Sequence, residues 1–154
     1  MDAAGGLMKI LFASGFQHLP QIFGGVMSNS HEIALALRTA GHQAAVAADL
    51  QPDDWLGIGT RVLGKFTDKR SVYDRILGYP AYRRWNFLES LPDLVEVIKP
   101  DVVVVQPSHQ IASSKILLSL GVPVIVYFHD VLFDRLDGDP RDLDGALFLA
   151  NSEF

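Results

Sequence analysis

Five short apolar runs constrain the fold of this chain more than any other feature. The first run is continuous and stops at Gly15, which is typical of a strand buried on both faces of a sheet. Segments with helical spacing separate several of the runs, and such alternation predicts a parallel sheet with right-handed crossovers. The predicted strands are Lys9–Ser14, Gln43–Ala48, the segment "KPDVVVVQ", Val124–Phe128 and Ala146–Ala150.

Three segments between these runs have the spacing of helices. Val26–Ala40 ends at Gly41 and Ile111–Leu120 ends at Gly121, and glycine is the usual residue after a helix. Tyr82–Ile98 is the third predicted helix. Residues 50–80 are less regular, and we expect there a long connection with a weak strand near Arg61–Leu63 and a helical piece at 71–77. The prediction is an α/β fold: a Rossmann-like, doubly wound parallel sheet with helices on both faces.

Composition limits the class of protein. The chain has 154 residues, of which 49 % are hydrophobic, enough for one domain with a real core. We assign residues 8–154 to that domain and residues 1–7 to a flexible leader. The net charge of −5 does not favour a nucleic-acid partner, and the absence of cysteine fits a cytoplasmic protein. No apolar run in the sequence reaches the roughly 18–20 residues that span a bilayer.

Ligands of such sheets bind outside the carboxyl ends of the strands, so residues there are the first candidates for function. Gly24 and Gly25 follow the first strand in "FGGVMSN". One interpretation is a loop whose backbone N–H groups meet a phosphate at a helix N-terminus. The other is a turn that needs positive φ, with Ser28 or Asn29 capping the helix.

Two further polar segments follow predicted strands. His129 and Asp130 end "YFHD", where a histidine can bond a sugar hydroxyl or move a proton near neutral pH. The alternative is a histidine that caps the strand end. Residues 151–154, "NSEF", suit the start of a helix with Ser152 as its N-cap.

No metal site is expected. Asp137 and Asp139 in "DGD" resemble a carboxylate pair for a divalent ion, but they lie in a turn rich in Gly and Pro. The histidines are too scattered for a zinc motif. We expect no cofactor.

Taken together, the pieces resemble the amino-terminal domain of GT-B glycosyltransferases, in particular the retaining family 4 enzymes. The resemblance covers nearly the whole chain in order, except for about residues 50–90. It rests on "MKILFAS", "FGGV", "LALRTAGHQAAV", "KPDVVVVQ", "GVPVIVYFHD" and "LFLANSEF".

The resemblance implies a role for each matching residue. The amides of Gly24 and Gly25 would face the diphosphate of a nucleotide-diphospho-sugar donor. His129 would contact the donor sugar and Asp130 would orient it. His109, in "QPSH", stands where many relatives carry a histidine pair and would take over part of that function. The implied reaction transfers the sugar to an acceptor hydroxyl with retention.

One departure from the family is large. The E-x7-E motif of the donor-binding domain is absent, since Glu89 and Glu96 are one residue too close. The chain is therefore interpreted as the acceptor-side half, inactive alone, with the carboxyl-terminal donor domain missing. Two alternatives stay open: a stand-alone Rossmann-like domain that binds a phosphorylated ligand or a protein partner, and half of a sugar-nucleotide epimerase.

Basic and aromatic residues alternate between residues 65 and 88. This segment carries +4 in a chain of −5, because six basic residues stand against two aspartates. We expect it to border the acceptor side of the cleft, with Arg83 and Arg84 as candidate contacts. The acceptor would be a sugar, a lipid-linked molecule or another small molecule. Basic charge with aromatics also suits a peripheral contact with an anionic membrane.

Overall fold

The predicted alternation of strands and helices is present in the computed structural model, which describes residues 6–50, 71–129 and 135–150. A short 3-10 helix, Pro140–Asp142, precedes the last strand. The helices are α1 (Gly25–Thr39), α2 (Phe87–Ile98) and α3 (Gln110–Ser119). The strands are β1 (Lys9–Ser14), β2 (Gln43–Asp49), β3 (Ser71–Asp74), β4 (Ala81–Arg84), β5 (Val102–Val105), β6 (Val124–Phe128) and β7 (Leu147–Ala150).

The strands form one sheet in the order β3-β4-β2-β1-β5-β6-β7. All neighbours run parallel except β3, which pairs antiparallel with β4. From β1 the chain builds the sheet outward to β2 and later returns to β5 on the other side of β1. The prediction of a Rossmann-like α/β fold is confirmed. The reversal of strand order places a crevice between the carboxyl ends of β1 and β5.

Each face of the sheet is buried against helices, which explains the continuous apolar runs. In β1, Leu11 and Ala13 face a core that contains residues of α2 and α3. Ile10 and Phe12 face the opposite core, to which α1 contributes Ala34. Burying each large apolar side chain contributes about 1.5–3 kcal/mol. The sheet is therefore a rigid platform for the loops at its carboxyl edge.

Two predictions in the middle of the chain are wrong. The helical piece expected at 71–77 begins instead as strand β3, and the helix expected from Tyr82 begins at Phe87. Ala81 to Arg84 form β4, which pairs with β2 and alternates buried and half-buried residues. Asn86 has a left-handed backbone, with φ of 53°, and separates β4 from α2. The strand expected near Arg61 lies outside the described residues.

The two edges of the sheet differ. Strand β3 is a short antiparallel strand at one edge, and the residues that precede it, 51–70, lie outside the described part of the chain. All four residues of β7 are exposed, and Leu147, Phe148 and Leu149 are each about half exposed or more. Among the described helices, none is long and apolar enough to cross a membrane.

Candidate functional site

The crevice between β1 and β5 is built by two loops that are hydrogen-bonded to each other. The Ser14 hydroxyl donates to the Pro107 carbonyl oxygen at 2.8 Å. The Gly15 N–H donates to the Ser108 carbonyl oxygen at 3.3 Å. A Cβ on Gly15 would lie 2.8 Å from that oxygen and 2.9 Å from Cδ2 of His109. Only glycine allows the loops to approach this closely.

Backbone conformation directs the imidazole of His109 towards this junction. Ser108 and His109 both have positive φ, at 61° and 59°, immediately before α3. Non-glycine residues adopt this region rarely, and strained positions of this kind cluster at functional sites. His109 lies between two clefts of about 580 and 360 Å³ and lines both.

The larger cleft, here the switch-point cleft, brings together several predicted site residues. His109 and His129 line it, and so does Val26, the residue that follows Gly25. The described residues that line it are Phe16, Val26, Pro107, Ser108, His109, Gln110, Phe128, His129, Arg135, Leu136 and Asp137. Segments far apart in sequence therefore meet where β1, β5 and β6 end.

His129 directly follows β6 and is half-buried in this cleft. Its ring centroid lies 4.0 Å from that of Tyr127. The Tyr127 hydroxyl accepts a hydrogen bond from Asn29 of α1 at 3.2 Å. This bond connects β6 with α1 next to His129. Burial lowers the pKa of His129 below its ordinary value. The imidazole is therefore neutral at pH 7 and can both donate and accept a hydrogen bond. Asp130 lies outside the described residues.

The two glycines begin α1, but not for the conformational reason considered above. Gly24 is the N-cap with φ of −177°, ordinary extended backbone, and Gly25 is the first helical residue without positive φ. The interpretation as a positive-φ turn is wrong. A Cβ on Gly25 would meet no atom within 4 Å. Neither conformation nor packing requires glycine at Gly25, and the space that a Cβ would occupy is open.

Among the described side chains none caps the N-terminus of α1, and the first turn of α1 holds no acidic residue. The alternative of a cap by Ser28 or Asn29 is wrong, because α1 begins at Gly25 and both residues lie inside the helix, where Asn29 donates to Tyr127. The first N–H groups of a helix have no partner inside it and carry a partial positive charge. The N-terminus of α1 thus presents unpaired donors beside Val26 in the cleft.

An aspartate occupies the N-terminus of α3. The Asp137 carboxylate accepts from the N–H groups of Ile111 at 2.9 Å and Ala112 at 3.1 Å in α3. Burial raises the pKa of the Asp49 carboxyl, against the opposing effect of hydrogen bonds from the backbone of Leu50 and Phe87. Asp137 therefore serves as a helix cap within the "DGD" turn. Its neighbour Asp139 pairs with Arg141 at 2.6 Å.

Arg135 is a lining residue that the sequence reasoning missed. It is exposed, and within the described part of the chain its guanidinium makes no ion pair. Among the described residues that line the cleft, Asp137 is the only one with a carboxylate, and that carboxylate already caps α3. The sequence signal that could have identified Arg135 is a basic residue shortly after the strand β6. Within the described part of the chain, the switch-point cleft therefore combines a cation that forms no ion pair, two histidines and an uncapped helix N-terminus.

Arg83, expected to contact an acceptor or a membrane, lies elsewhere and has another role. It is fully buried, and its Nε donates to Asp74 at 3.0 Å. Its Nη1 donates to the His18 carbonyl oxygen at 3.2 Å and to Oε1 of Gln21 at 3.1 Å, and its Nη2 donates to the Leu19 carbonyl oxygen. The expected contacts of Arg83 are wrong, because no solvent reaches the guanidinium. Through these hydrogen bonds Arg83 instead stabilises the loop between β1 and α1. Arg84, next on β4, is half-buried.

His18 of the same loop belongs to a buried polar cluster. Its Nε2 lies 2.8 Å from the Tyr79 hydroxyl, which is also 2.9 Å from Nδ1 of His31 in α1. Burial, and then the charge of Arg83, lower the pKa of His18 to about 4. His31 acts in the same direction and Asp74 opposes it. His18 is therefore neutral in the folded protein above pH 5.

This cluster predicts that stability decreases in mild acid. Between the ordinary pKa of 6.5 and about 4, the unfolded chain binds a proton on His18 that the folded chain does not. The free energy of unfolding therefore decreases as pH falls, by about 2 kcal/mol from pH 7 to pH 5. His129 acts in the same direction and Asp49, with its raised pKa, in the opposite one.

Urea unfolding at the two pH values measures this effect. His18→Gln keeps a hydrogen-bonding group towards Tyr79 and removes the titration, so its stability should vary much less with pH. His42→Gln, at the exposed amino end of the sheet, is the matched control. An unchanged pH dependence in His18→Gln would exclude His18 as its source.

No family model matches the chain, and no curated protein matches it. Across residues 6–50, 71–129 and 135–150, no three side chains of the metal-binding types come together.

Proposed function

We propose that the chain is the acceptor-side half of a retaining glycosyltransferase that uses a nucleotide-diphospho-sugar. The observation that supports this proposal is the meeting of the α1 N-terminus, His109, His129 and Arg135 around one cleft. Its position is the one where open α/β sheets bind ligands. The nucleotide itself would be bound by a second domain that faces this cleft.

The donor diphosphate would be stabilised by backbone and by charge. In the proposed complex the N–H groups at Gly25 and Val26 donate to phosphate oxygens, and Arg135 supplies a cation. Gly25 allows a phosphate to approach the backbone, because it has no side chain in the way. Stabilising charge that develops on a leaving group is the largest electrostatic contribution to such a reaction.

The histidines would hold sugars. A neutral imidazole donates one hydrogen bond and accepts another, which matches a hydroxyl group. His129 would contact the donor sugar at the floor of the cleft. His109 would contact the acceptor, because it also lines the second cleft, with Asp49, Trp85 and Glu89. Its place between the clefts suits the point of transfer.

A stand-alone domain that binds a phosphorylated ligand is the second candidate, since the same amides and Arg135 would serve it. A sugar-nucleotide epimerase half would also place a diphosphate there. Assays of the product of the complete reading frame separate the three. Transfer of labelled sugar to an acceptor supports the transferase, epimerised free sugar supports the epimerase, and binding without turnover supports the binding domain.

Gly25→Val is expected to weaken binding of pyrophosphate to the 154-residue chain by at least about tenfold, equivalent to 1.4 kcal/mol. In the product of the complete reading frame it should abolish transfer. The fold should persist, because a Cβ at Gly25 meets nothing within 4 Å. Titration followed by amide NMR measures the affinity and should show shifts at Gly25, Val26 and Met27.

Gly6→Val is the matched control, since a Cβ at Gly6 also meets nothing within 4 Å and the residue lies away from the cleft. It should bind pyrophosphate as the unchanged chain does. Equal binding by Gly25→Val, or normal turnover, would exclude the phosphate role of the glycine pair.

A further inference from the structure

A second cleft with concentrated positive charge lies at the opposite end of the sheet. This amino-edge cleft has a volume of about 460 Å³. The starts of β1 and β2, the end of α1, the turn after β3 and the end of α2 form it. Its lining residues are Lys9, Ile10, Arg38, Gln43, Ala44, Ala45, Arg75, Pro80, Tyr82, Val97 and Ile98.

The described residues that line this cleft include three cations and no carboxylate. Lys9 and Arg38 are half-buried and Arg75 is exposed. In the described part of the chain, none of the three side chains forms an ion pair. This concentration of positive charge is unusual in a chain whose net charge is −5.

The nearby carboxylates are occupied by other groups. Asp101 accepts a hydrogen bond from the backbone N–H of Lys9 at 2.7 Å. Asp74 pairs with buried Arg83 and accepts from the Ile76 N–H. These bonds stabilise the carboxylates where they are, so neither is directed into the cleft as a counter-ion.

Bringing like charges into one half-buried cleft is unfavourable unless an anion offsets the repulsion. Three cations match the charge of a phosphate monoester, about −1.5 to −2 at pH 7, better than a single carboxylate. Tyr82 and Gln43 add polar groups that can donate hydrogen bonds. Pro80, Val97 and Ile98 add apolar surface for the group that carries the phosphate.

We propose that the amino-edge cleft binds a phosphate monoester through Lys9, Arg38 and Arg75, with its organic group against Tyr82, Val97 and Ile98. The site is separate from the proposed transfer site. The six residues of β1 lie between the two ends, a length of roughly 20 Å at about 3.3 Å per residue. The proposal therefore stands or fails independently of the glycosyltransferase proposal.

The phosphate could be free in solution or carried by a lipid headgroup. Ile76 and Val97, on segments that form the cleft, are 68 and 66 % exposed, and Tyr73, 55 % exposed, packs its ring 5.0 Å from that of the lining residue Tyr82. Apolar groups around a cationic site also suit a membrane surface. The shared chemistry is the phosphate monoester, and the two sources are separated by experiment.

The test titrates the 154-residue chain with phenyl phosphate by calorimetry. In parallel, the chain is sedimented with phosphatidylcholine vesicles that either contain or lack phosphatidic acid. Arg38→Gln and Arg75→Gln are each expected to weaken binding about tenfold, as is common for a charge-assisted contact worth about 1.4 kcal/mol. Lys115→Gln is the matched control, because it also removes one positive charge. Lys115 lies on α3, where it forms an exposed ion pair with Asp142. Circular dichroism confirms that each variant is folded.

Binding of phenyl phosphate alone supports a soluble phosphate, and binding of phosphatidic acid vesicles alone supports a lipid headgroup. Binding of both supports the shared site without a preference for the source. Absence of both overturns the proposal. So does a loss of affinity in Lys115→Gln as large as in Arg38→Gln, because the attraction would then be a general effect of charge.

Discussion

Arg83→Met is expected to lower the free energy of unfolding by about 3–5 kcal/mol, since removing one partner of a buried ion pair leaves the other charge uncompensated. The guanidinium is fully buried and bonds Asp74 and two carbonyl groups of the loop between β1 and α1. Methionine fills similar space but donates no hydrogen bond. Loss of Arg83 therefore also releases the loop that leads to Gly24 and Gly25.

Urea unfolding gives the stability, and hydrogen exchange at the Gln21 N–H, which bonds the His18 carbonyl oxygen, reports on the loop. Arg84→Met on the same strand is the matched control and should cost less than about 1 kcal/mol, because Arg84 forms no ion pair in the described structure. Adding Asp74→Asn to Arg83→Met should cost less than the two single effects combined. A stable Arg83→Met variant with an unchanged loop would contradict the role assigned to Arg83.

Gly15→Ala is expected to cost about 1–3 kcal/mol in stability, because its Cβ would overlap backbone as well as a side chain. The nearest atoms would be the Ser108 carbonyl oxygen at 2.8 Å and Cδ2 of His109 at 2.9 Å. The 107–109 turn must then move, and with it the imidazole of His109. Thermal unfolding and the NMR signals of His109 should both change.

Gly25→Ala supplies the comparison within the same chain. It adds the same methyl group where no atom lies within 4 Å and φ is not positive, so its stability should equal or slightly exceed that of the unchanged chain. If Gly15→Ala were equally harmless, the close packing of the two loops would not depend on glycine.

The sheet and the helices around it could be predicted where one local signal dominated. In β1, β5 and β6, strands buried on both faces appear as continuous apolar runs, and Gly41 and Gly121, both with positive φ, mark where α1 and α3 end. Strands β3 and β4 could not be predicted this way. Each has four residues, and β4 contains two arginines, one of which is buried only because distant groups accept its hydrogen bonds.

The candidate site was only partly predictable for a related reason. His129 and His109 follow strands, so the rule that ligands lie at carboxyl ends of strands identifies them. The sequence argues against a metal site at Asp137, but only the folded chain shows that this residue caps α3. The local sequence around Arg83 and Arg135 does not reveal their different roles. Tertiary contacts decide which is buried and which faces the cleft.

The exposed strand β7 has a consequence for solution behaviour. In the part of the chain that the structure describes, β7 is the last strand on its side of the sheet, and Leu147, Phe148 and Leu149 are about half exposed or more. An edge of this kind can accept a strand from another molecule, which would also remove the three side chains from water. Association linked to folding makes unfolding midpoints depend on protein concentration. Stabilities of variants of this chain are therefore comparable only at one fixed, low concentration.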